Sequence, residues 1–371
     1  MTALPGTTAI TADAYAVTPS DHRRPAAERA DLMAAPTFGT VFTDHMVRVD
    51  WSADGGWTHR RVVAHGPLQL DPGAAVLHYG QEVFEGLKAY RHVDGSVWTF
   101  RPEANARRFA ASARRLALPE LPVEDFLASI EALVRTDEAW VPSGDETSLY
   151  LRPFMFASET FLGVRPARGV DYVVIASPVG PYFAGGVRPV SIWVAEDYHR
   201  AGPGGTGAAK CGGNYAASLL PQQEAYGHGC EQVCFLDAAT NTLLEELGGM
   251  NVMTVRRDGS VVTPALSGTI LEGVTRDSIL TLLREGGHEV VERDVPLAEV
   301  LDGLRSGEVT EVFACGTAAV VTPIGRLAGE GFDLPVNGGA TGTVTAAIRH
   351  QLTSIQYGRA TDTHGWMHRL V

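Results

Sequence analysis

The chain has 371 residues, 45% hydrophobic and 20% charged, a composition typical of a soluble globular protein with more than one domain. With 43 acidic and 30 basic residues the formal net charge is −13, which argues against a nucleic acid partner because no basic cluster offsets it. The four cysteines form no C-x-x-C pair and are too few for a disulfide framework. We therefore expect a cytoplasmic protein with neither a secretory signal nor a membrane span.

The sequence predicts four segments along the chain. Residues 1–35 show no periodicity, which predicts a mobile N-terminal arm. Residues 36–179 alternate between hairpin and helix patterns and predict a small α/β domain. Residues 180–190 gather glycine and proline around two aromatic residues, which predicts an interdomain connector. Residues 191–371 predict a second, larger α/β domain that contains the main binding machinery.

The first domain is predicted to combine hairpins with two amphipathic helices. The stretches TFGTVFTDHMVRVDW and HRRVVAHGPLQL predict strands joined at DGG, and FEGLKAYRHVDGSVWTF predicts a hairpin around Asp94 and Gly95. RPEANARRFAASARRLAL and VEDFLASIEALVR predict helices, and SLYLRPFMFA and DYVVIASPV predict strands. The residues expected on the buried sides of the two helices are Ala106, Ala110, Ala113, Leu116, Val123, Leu127, Ile130 and Val134.

The second domain is predicted to begin with strands and to end with helices. VSIWVAE predicts a strand, and EQVCFLDAATNTLLEEL, NVMTVRRDGSVVT and FACGTAAVVTP predict further strands separated by turns. TRDSILTLLREGG, LAEVLDGLRSG and TVTAAIRHQLTSIQYG carry apolar residues at helical spacing. The mixture of both patterns places the domain in the α/β class.

One lysine, Lys210, lies between two glycine clusters in GPGGTGAAKCGGNYAASL. A nucleotide-binding loop would require Ser or Thr directly after the lysine, but Cys211 occupies that position. A lysine whose amine is desolvated can instead form a Schiff base with an aldehyde. The residues alone leave open whether Lys210 is catalytic or a solvated surface group.

Two adjacent carboxylates, Glu245 and Glu246, end an otherwise apolar strand pattern. Since neighbours on a strand point to opposite faces, one of the two should point toward the interior, where a carboxylate requires a cationic partner. The alternative is that the strand simply ends in a polar turn.

Three separate features favour the binding of an anion. A predicted helix begins after Gly273, and the free amides and the dipole of a helix N-terminus attract phosphate. The strand in FACGTAAVVTP breaks at a turn of small residues that includes Thr317. Arg108 is expected on the polar side of its helix. Together these features predict a phosphate pocket outside any nucleotide motif.

Several stretches resemble the motifs of the branched-chain amino-acid aminotransferases, which belong to the fold-type IV group of pyridoxal-phosphate enzymes. In chain order they are FGTVFTDHM, LHYGQEVFEGLKAYR, SLYLRP, PVGPYF, KCGGNYAASL, EELGGMNV, GVTRDS, ACGTAAVVTPI and IQYG. The resemblance implies a mixed α/β fold with a smaller N-terminal α/β domain, a larger C-terminal domain that contains a pseudo-barrel, and pyridoxal 5′-phosphate at the domain interface. It also implies a homodimer or a larger assembly.

The resemblance implies a role for each matching residue. Lys210 would form a Schiff base with the cofactor and move the substrate proton, Tyr215 would contact the ring hydroxyl, and Glu246 would keep the pyridine nitrogen protonated. The residues implied to bind the phosphate are Arg108, Val274, Thr275 and Thr317. The residues implied to bind the substrate are Phe38, Tyr79, Phe84, Tyr150, Arg152, Tyr182, Thr317 and Ala318. No metal ion is implied.

The implied reaction is reversible transamination between leucine, isoleucine or valine and 2-oxoglutarate, which gives branched-chain 2-oxo acids and L-glutamate. A missing methylene changes binding by only about 1–3 kcal/mol, so all three amino acids should react. The hydroxyl of Tyr79, together with Arg152, would bind the distal carboxylate of 2-oxoglutarate. Two alternatives are a D-amino-acid aminotransferase or aminodeoxychorismate lyase on the same fold, and a non-catalytic binder of phosphate or nucleotide, which predicts a colourless protein.

Overall fold

The computed structural model describes residues 10–34, 36–180 and 188–371. Most of the predicted connector, residues 180–190, therefore lies outside the described residues. Among the helices of the described ranges, none has both the length and the apolar character that a membrane crossing requires.

Strands are interspersed with helices along the described chain. The strands are β1 (Ala16–Val17), β2 (His45–Ser52), β3 (Gly56–Ala64), β4 (Glu82–Phe84), β5 (Leu87–Arg91), β6 (Val97–Phe100), β7 (Ser148–Ala157), β8 (Gly169–Val179), β9 (Val190–Ala195), β10 (Gln232–Leu236), β11 (Leu244–Leu247), β12 (Asn251–Arg256), β13 (Val261–Pro264), β14 (Val290–Arg293), β15 (Val309–Gly316), β16 (Val320–Gly329), β17 (Phe332–Pro335) and β18 (Met367–Arg369). The helices are α1 (Ala26–Ala34), α2 (Ala75–Tyr79), α3 (Pro102–Arg115), α4 (Val123–Thr136), α5 (Gly212–Ala216), α6 (Leu219–Gly227), α7 (Val274–Glu285), α8 (Leu297–Ser306) and α9 (Thr343–Gln356).

The contacts between residues divide the chain into two units of nearly equal length. The first unit extends to Gly180 and also contains Gly365–Val371, and the second ends at His364. The C-terminal residues belong to the first unit because β18 pairs antiparallel with β6. The sequence had assigned them to the second domain, because the pairing partner of a three-residue strand cannot be deduced from its own pattern.

The first unit is built on a nine-stranded sheet in the order β1-β3-β2-β8-β7-β5-β6-β18, with β4 paired to β7 beside β5. Strand β7 carries Pro153, which has no N–H to donate to a ladder. Proline is tolerated there because β7 changes partner at this residue: Leu151 pairs with β5, and Phe154 pairs with β4. The sheet thereby brings β4 and β5 against the same strand.

Helices α3 and α4 pack in the first unit through wider apolar faces than the sequence indicated. Phe109 and Phe126 are fully buried, and their rings lie 5.6 Å apart between centroids. The predicted Leu116 and Leu127 are only half-buried. Ala106, Ala113, Ile130 and Val134 are buried as predicted. An apolar stripe about 100° wide also contains residues beside the strict spacing pattern, which is why Phe109 and Phe126 are buried too.

Part of the predicted mobile arm is anchored to the first unit. Tyr15 is 3% exposed, and its hydroxyl donates to the backbone oxygen of Asp125 at 3.0 Å. The backbone N–H of Ser20 donates to Nε2 of His45 at 2.9 Å. Helix α1 lies within the same segment. Tyr15 and Ser20 of the predicted arm therefore contact the first unit, whereas the mobility of the arm stays a prediction.

The second unit is built on a nine-stranded sheet that closes on itself. Its order is β11-β10-β9-β16-β15-β12-β13-β14, and an additional pairing joins β11 to β12. This pairing completes a ring of β9, β10, β11, β12, β15 and β16, which is the predicted pseudo-barrel. Ile192, Leu247, Val312 and Ala314 belong to one buried cluster in this unit. The ring leaves only β13, β14 and β17 outside it.

Helix α9 is fixed to the sheet of the second unit by Glu311 of β15. The carboxylate of Glu311 accepts the backbone N–H groups of Val344 and Thr345 at 3.0 and 2.8 Å, and the hydroxyl of Thr345 at 2.7 Å. An added Cβ at Gly342 would lie 1.9 Å from the Glu311 carboxyl carbon, so glycine is required for this approach. An acidic group at a helix N-terminus binds the unpaired amides and opposes the helix dipole.

Candidate active site

Lys210 lies at the end of a glycine-rich loop, directly before α5. Its amine, Nζ, is 2.6 Å from the hydroxyl oxygen of Tyr215, and the side chain is half-buried. Asn214 fixes the loop, because its side-chain amide donates to the backbone oxygens of Thr206 and Ala209 at 2.8 Å each. The loop therefore presents Lys210 in a defined position, which argues against a freely solvated surface lysine.

The glycine-rich loop contacts a second loop through its backbone. An added Cβ at Gly207 would lie 2.1 Å from the backbone oxygen of Thr269, so only glycine permits this approach. Arg200 joins the two loops, because its guanidinium donates to the backbone oxygen of Gly207 at 3.1 Å and to that of Thr269 at 2.9 Å. Gly207, three residues before Lys210, thus permits the close packing of two backbones.

Glu246, at the barrel end of β11, forms a buried ion pair with Arg200. The two side chains are each 2% exposed, and Nη1 of Arg200 lies 3.0 Å from Oε1 of Glu246. The backbone N–H of Leu271 donates to the same carboxylate oxygen at 2.8 Å. The sequence indicated that an inward carboxylate would need a cation, but nothing in it identified Arg200 as that cation.

Burial raises the pKa of Glu246 to about 7, against the opposing effects of Arg200, the Leu271 N–H and Lys210. Burial removes the water that stabilises a charged carboxylate, so it favours the protonated form. Glu246 is thus an acid whose charge depends on the cations around it. A positively charged ring nitrogen beside it would favour the ionised form.

Glu245 is also buried, although the sequence predicted that only one of the pair would point inward. The hydroxyl of Thr269 donates to its Oε1, and burial raises its pKa. Glu245 lines a cavity of about 160 Å³ together with Leu244, Pro264 and Ile270. Both carboxylates are therefore enclosed, on opposite faces of the same strand.

Pairing between β11, β12 and β15 brings the remaining predicted residues of the second unit close together. Glu246 pairs with Asn251 of β12, and Asn251 pairs with Cys315 of β15, next to the turn that carries Thr317. The side-chain amide of Asn251 donates to the backbone oxygen of Leu271 at 3.1 Å, two residues before Gly273. These links bring the start of α7 and the β15–β16 turn to the same end of the barrel.

The first turn of α7 begins with Val274 and Thr275, both buried, and Gly273 provides no side-chain cap. An added Cβ at Gly273 would lie 2.1 Å from Oδ1 of Asn251. An added Cβ at Gly316 would lie 3.3 Å from the backbone oxygen of Gly249, whose own added Cβ would be 3.5 Å from the Tyr215 ring. Thr317 and Ala318 follow Gly316 and are half-buried.

Arg108, in the first unit, forms a two-bond ion pair with Glu85. Its Nε and Nη2 donate to the two carboxylate oxygens at 2.7 and 2.9 Å, and the side chains are 10% and 0% exposed. Asn105 donates to the same carboxylate at 2.9 Å. Arg108 is therefore oriented by a buried glutamate that lies between β4 and β5.

Four of the predicted substrate residues form a cluster in the first unit. Tyr150 and Arg152 lie two residues apart on one face of β7, and the Arg152 Nη2 donates to the Tyr150 hydroxyl at 3.1 Å. The guanidinium carbon of Arg152 is 4.6 Å from the centroid of the Phe84 ring. Phe38 contacts the Tyr150 ring edge to face, with 4.9 Å between centroids.

Gly86 makes room for this cluster. An added Cβ at Gly86 would lie 2.1 Å from the Tyr150 hydroxyl oxygen, so any side chain there would displace Tyr150. This explains why the FEGL stretch places glycine directly after Glu85.

Two predicted substrate residues differ from this arrangement. Tyr79 is 41% exposed, and its hydroxyl donates to the backbone oxygen of Leu162. The tyrosine hydroxyl beside Arg152 is that of Tyr150, and the joint role of Tyr79 and Arg152 at the substrate carboxylate stays a prediction. Tyr182 lies outside the described residues.

Comparison with known proteins agrees with this chemistry. A family model described as amino-transferase class IV matches residues 82–327. The chain is 56% identical to the probable branched-chain-amino-acid aminotransferase of Streptomyces coelicolor, over 95% of this chain and 97% of that protein. It is 54% identical to the branched-chain-amino-acid aminotransferase of Mycolicibacterium smegmatis, over 93% of this chain and 95% of that protein.

Solved structures show the same fold. The branched-chain aminotransferase of Escherichia coli matches with a TM-score of 0.73 and 29% identity, over 88% of this chain and 99% of that chain. The branched-chain aminotransferase of T.th., solved with pyridoxamine 5′-phosphate, matches with a TM-score of 0.70 and 29% identity, over 87% of this chain and 98% of that chain.

The chain therefore belongs to the class IV aminotransferases, and within that class to the branched-chain-amino-acid aminotransferases. Its cofactor is pyridoxal 5′-phosphate. The family, the fold class, the type of reaction and the cofactor predicted from the sequence are confirmed, and the alternative of a non-catalytic binder is set aside.

The residues of the second unit fit this cofactor. The cofactor aldehyde requires an amine, which Lys210 supplies, and the ring hydroxyl requires a hydrogen-bonding group such as the Tyr215 phenol. The pyridine nitrogen requires a carboxylate, which Glu246 supplies. Glycine at 207 permits the approach of the Thr269 backbone, and glycine at 273 permits the approach of the Asn251 side chain; a Cβ would block both. The start of α7 offers main-chain amides, which suit a phosphate.

Proposed function

We propose that this enzyme transfers the amino group of leucine, isoleucine and valine to 2-oxoglutarate, reversibly, with Lys210 as the catalytic residue. The observation that carries the proposal is the position of Lys210: its amine contacts Tyr215 at 2.6 Å and acts electrostatically on the buried Glu246. An amine in this setting is positioned for covalent chemistry and for proton transfer.

When bound, pyridoxal 5′-phosphate supplies a ring that accepts the negative charge left after the substrate loses its α-proton. Glu246 would hold a proton at the ring nitrogen, because its carboxylate and the protonated nitrogen would stabilise each other's charge. Lys210 would move the proton between the α-carbon of the substrate and the C4′ carbon of the cofactor. Tyr215 orients the Lys210 amine through its hydroxyl.

The phosphate group is proposed to be bound by main-chain amides, by a hydroxyl group and by one arginine. Val274 and Thr275 offer the amides of the first turn of α7, and Thr317 offers a hydroxyl on the β15–β16 turn. Arg108, oriented by Glu85, supplies a cation. Charge-assisted bonds of about 1.5–3 kcal/mol each would keep the cofactor bound while its covalent link to Lys210 is exchanged.

The side chain of the substrate is proposed to contact aromatic residues of the first unit. Phe84, Tyr150 and Phe38 form one packed cluster, which offers an apolar wall for an aliphatic side chain. Tyr79, Tyr182 and Ala318 remain proposed substrate contacts from the family pattern. Because such a wall discriminates weakly between side chains that differ by one methylene, all three branched-chain amino acids should react.

The distal carboxylate of 2-oxoglutarate is proposed to bind Arg152 with the Tyr150 hydroxyl. Their side chains are already hydrogen-bonded at 3.1 Å, so one cation and one hydroxyl face the same direction from β7. The Nε of Arg152 is buried without a hydrogen-bond partner among the described residues, which gives the guanidinium capacity for another acceptor. A carboxylate is the acceptor that matches it.

We further propose that the enzyme works in the cytoplasm as a homodimer. All four cysteines are buried free thiols, which suits a reducing compartment. Size-exclusion chromatography with light scattering should give at least twice the mass of the 39.6 kDa chain. A fully active monomer would contradict the proposed assembly.

The proposed substrates can be tested with purified enzyme and matched amino acids. L-leucine, L-isoleucine and L-valine should each produce L-glutamate from 2-oxoglutarate, whereas D-alanine should not. The Arg152→Met variant should raise KM for 2-oxoglutarate more than KM for L-leucine. If D-alanine were the better donor, or if both KM values rose equally, the proposed substrate assignment would be incorrect.

A further inference from the structure

The turn between β15 and β16 contains a strained residue. Gly316 pairs with Val320, so the turn has three residues between the paired positions. Val320 has φ 62°, in the left-handed region, where a β-branched side chain is an outlier. Glycine is the usual residue in this conformation, because it has no Cβ.

Strain of this kind persists only where the surroundings hold the backbone in place. Arg349 of α9 provides such a hold, because its Nη1 donates to the backbone oxygens of Ala319 at 3.3 Å and Val321 at 2.9 Å. These two carbonyl groups lie on either side of Val320. A single guanidinium nitrogen therefore clamps both neighbours of the strained residue.

The position of Arg349 is fixed from a second direction. Glu311 binds the first amides of α9, and Glu311 lies on β15, the strand that leads into the same turn. Helix α9 is therefore attached to β15 at its first turn and to the β15–β16 turn at its middle. The helix cannot shift along the strand without breaking one of the two attachments.

The residues held by this clamp are those assigned to ligand binding. Thr317 and Ala318 lie inside the turn, and Gly316 borders the loop at Gly249, which borders Tyr215. A rotation of the backbone at Val320 would change the direction of the amides and of the hydroxyl in the turn. Arg349 itself is not assigned a contact with substrate or cofactor, so its effect on them is argued through the turn.

We propose that Arg349 is a positioning residue, which holds Val320 in its strained conformation and thereby orients Thr317 and Ala318 toward the substrate and the cofactor phosphate. The inference rests on the proposed function for the roles of these two residues. It concerns this chain's own backbone, so it can be tested by cofactor affinity as well as by kinetics.

The first test replaces the guanidinium. In Arg349→Met, KM for L-leucine should rise about tenfold and the dissociation constant of pyridoxal 5′-phosphate for the cofactor-free protein should rise several-fold, while kcat changes by less than about twofold. Arg349→Lys keeps a cation and one donor and should recover part of the loss. Arg305→Met, at an exposed arginine of α8 that pairs with Asp302, is the matched control and should change neither quantity.

The decisive test combines Arg349→Met with Val320→Gly in a double-mutant cycle. Glycine adopts the left-handed conformation without strain, so the turn should no longer depend on Arg349. We expect the rise in KM and in the cofactor dissociation constant caused by Arg349→Met to be much smaller when residue 320 is glycine. Equal losses in both backgrounds, or a fall in kcat with unchanged KM, would overturn the proposal.

A failure of the proposed role of Arg349 can be distinguished from a failure of the proposed function. If the wild-type protein does not transaminate L-leucine, the proposed substrates are wrong. The cycle can then still be read from cofactor titration alone, by absorbance of the full-length protein. If Arg349→Met weakens cofactor binding equally with and without Val320→Gly, the proposed role of Arg349 is wrong, even where the activity assay supports the proposed substrates.

Discussion

Arg200 is a cation in direct contact with Glu246, the carboxylate that we assign to the pyridine nitrogen. Its ion pair with Glu246 is almost fully removed from solvent, since each side chain is 2% exposed. Removing one partner of a buried pair leaves the other charge uncompensated, which costs about 3–5 kcal/mol. We therefore treat Arg200 as a residue that keeps Glu246 ionised rather than as a general stabilising contact.

The Arg200→Met variant should lower kcat by about tenfold or more at pH 7. Arg200 lowers the pKa of Glu246, so its loss should raise that pKa further above 7 and leave Glu246 protonated. Activity of the variant should then recover as the pH is raised, and it should do so at a higher pH than the activity of the wild type. We would measure kcat from pH 6 to about 9, with Arg326→Met at an exposed ion pair as control. A uniform loss of kcat at all pH values would contradict this role.

Glu246 should also make the cofactor-free protein sensitive to pH. Burial raises its pKa to about 7 in the folded state, from a usual value of 4.5. The folded state then binds the proton more tightly than the unfolded state does, so the stability contribution is complete below pH 4.5 and is lost as the pH rises through 7.

This linkage is measurable by comparing the wild-type protein with Glu246→Gln. The free energy of unfolding of the cofactor-free wild type should fall between about pH 5 and pH 8 by more than that of the variant. Urea titrations at several pH values give both curves. Parallel curves would show that Glu246 titrates normally in the folded protein and would remove the basis for its assigned role.

At the scale of elements, Glu311 is the contact that attaches α9 to the barrel. Glu311→Gln removes the charge and one acceptor oxygen while it keeps the size of the side chain. Because two backbone amides and the Thr345 hydroxyl depend on this carboxylate, we expect a loss of about 1–3 kcal/mol in the free energy of unfolding. Thermal or urea unfolding provides the measurement. Asp302→Asn on the exposed face of α8 is the matched control, and an equal effect of both changes would contradict the capping role.

The elements themselves were predictable where their patterns are long. Strand β7 and helices α4, α7, α8 and α9 coincide with patterns that the sequence carries over ten or more residues. Short elements such as α2, β17 and β18 carry too few residues for a period to emerge. The closure of the barrel was implied only by family resemblance, because the pairing of β11 with β12 depends on register rather than on either strand's composition.

Some residues of the candidate site could be predicted from the sequence, and others could not. Lys210 and Glu246 stood out because a lysine among glycines and a carboxylate in an apolar strand conflict with their surroundings. Arg200 and Glu85 did not, since each is a common charged residue whose significance comes from a partner far away in the sequence. The sequence could indicate that a buried charge needs a counter-charge, but not which residue provides it.

At the scale of the whole molecule, the small number of lysines allows a direct test of the claim that Lys210 binds the cofactor covalently. The chain contains only two lysines, Lys88 and Lys210. Lys88 is 7% exposed and lies on β5 in the first unit, whereas Lys210 is half-buried beside Tyr215 in the second. A covalent bond between the cofactor and a lysine side chain can therefore form at one of two positions.

The most direct measurement is mass spectrometry of the borohydride-reduced enzyme after proteolysis. We predict a phosphopyridoxyl adduct on the peptide that contains Lys210, its absence in Lys210→Ala, and its retention in Lys88→Arg. The Lys210→Ala protein should also lose its visible absorbance band and at least about a thousandfold in kcat. An adduct on Lys88, or an unmodified Lys210 peptide in the active enzyme, would contradict the account.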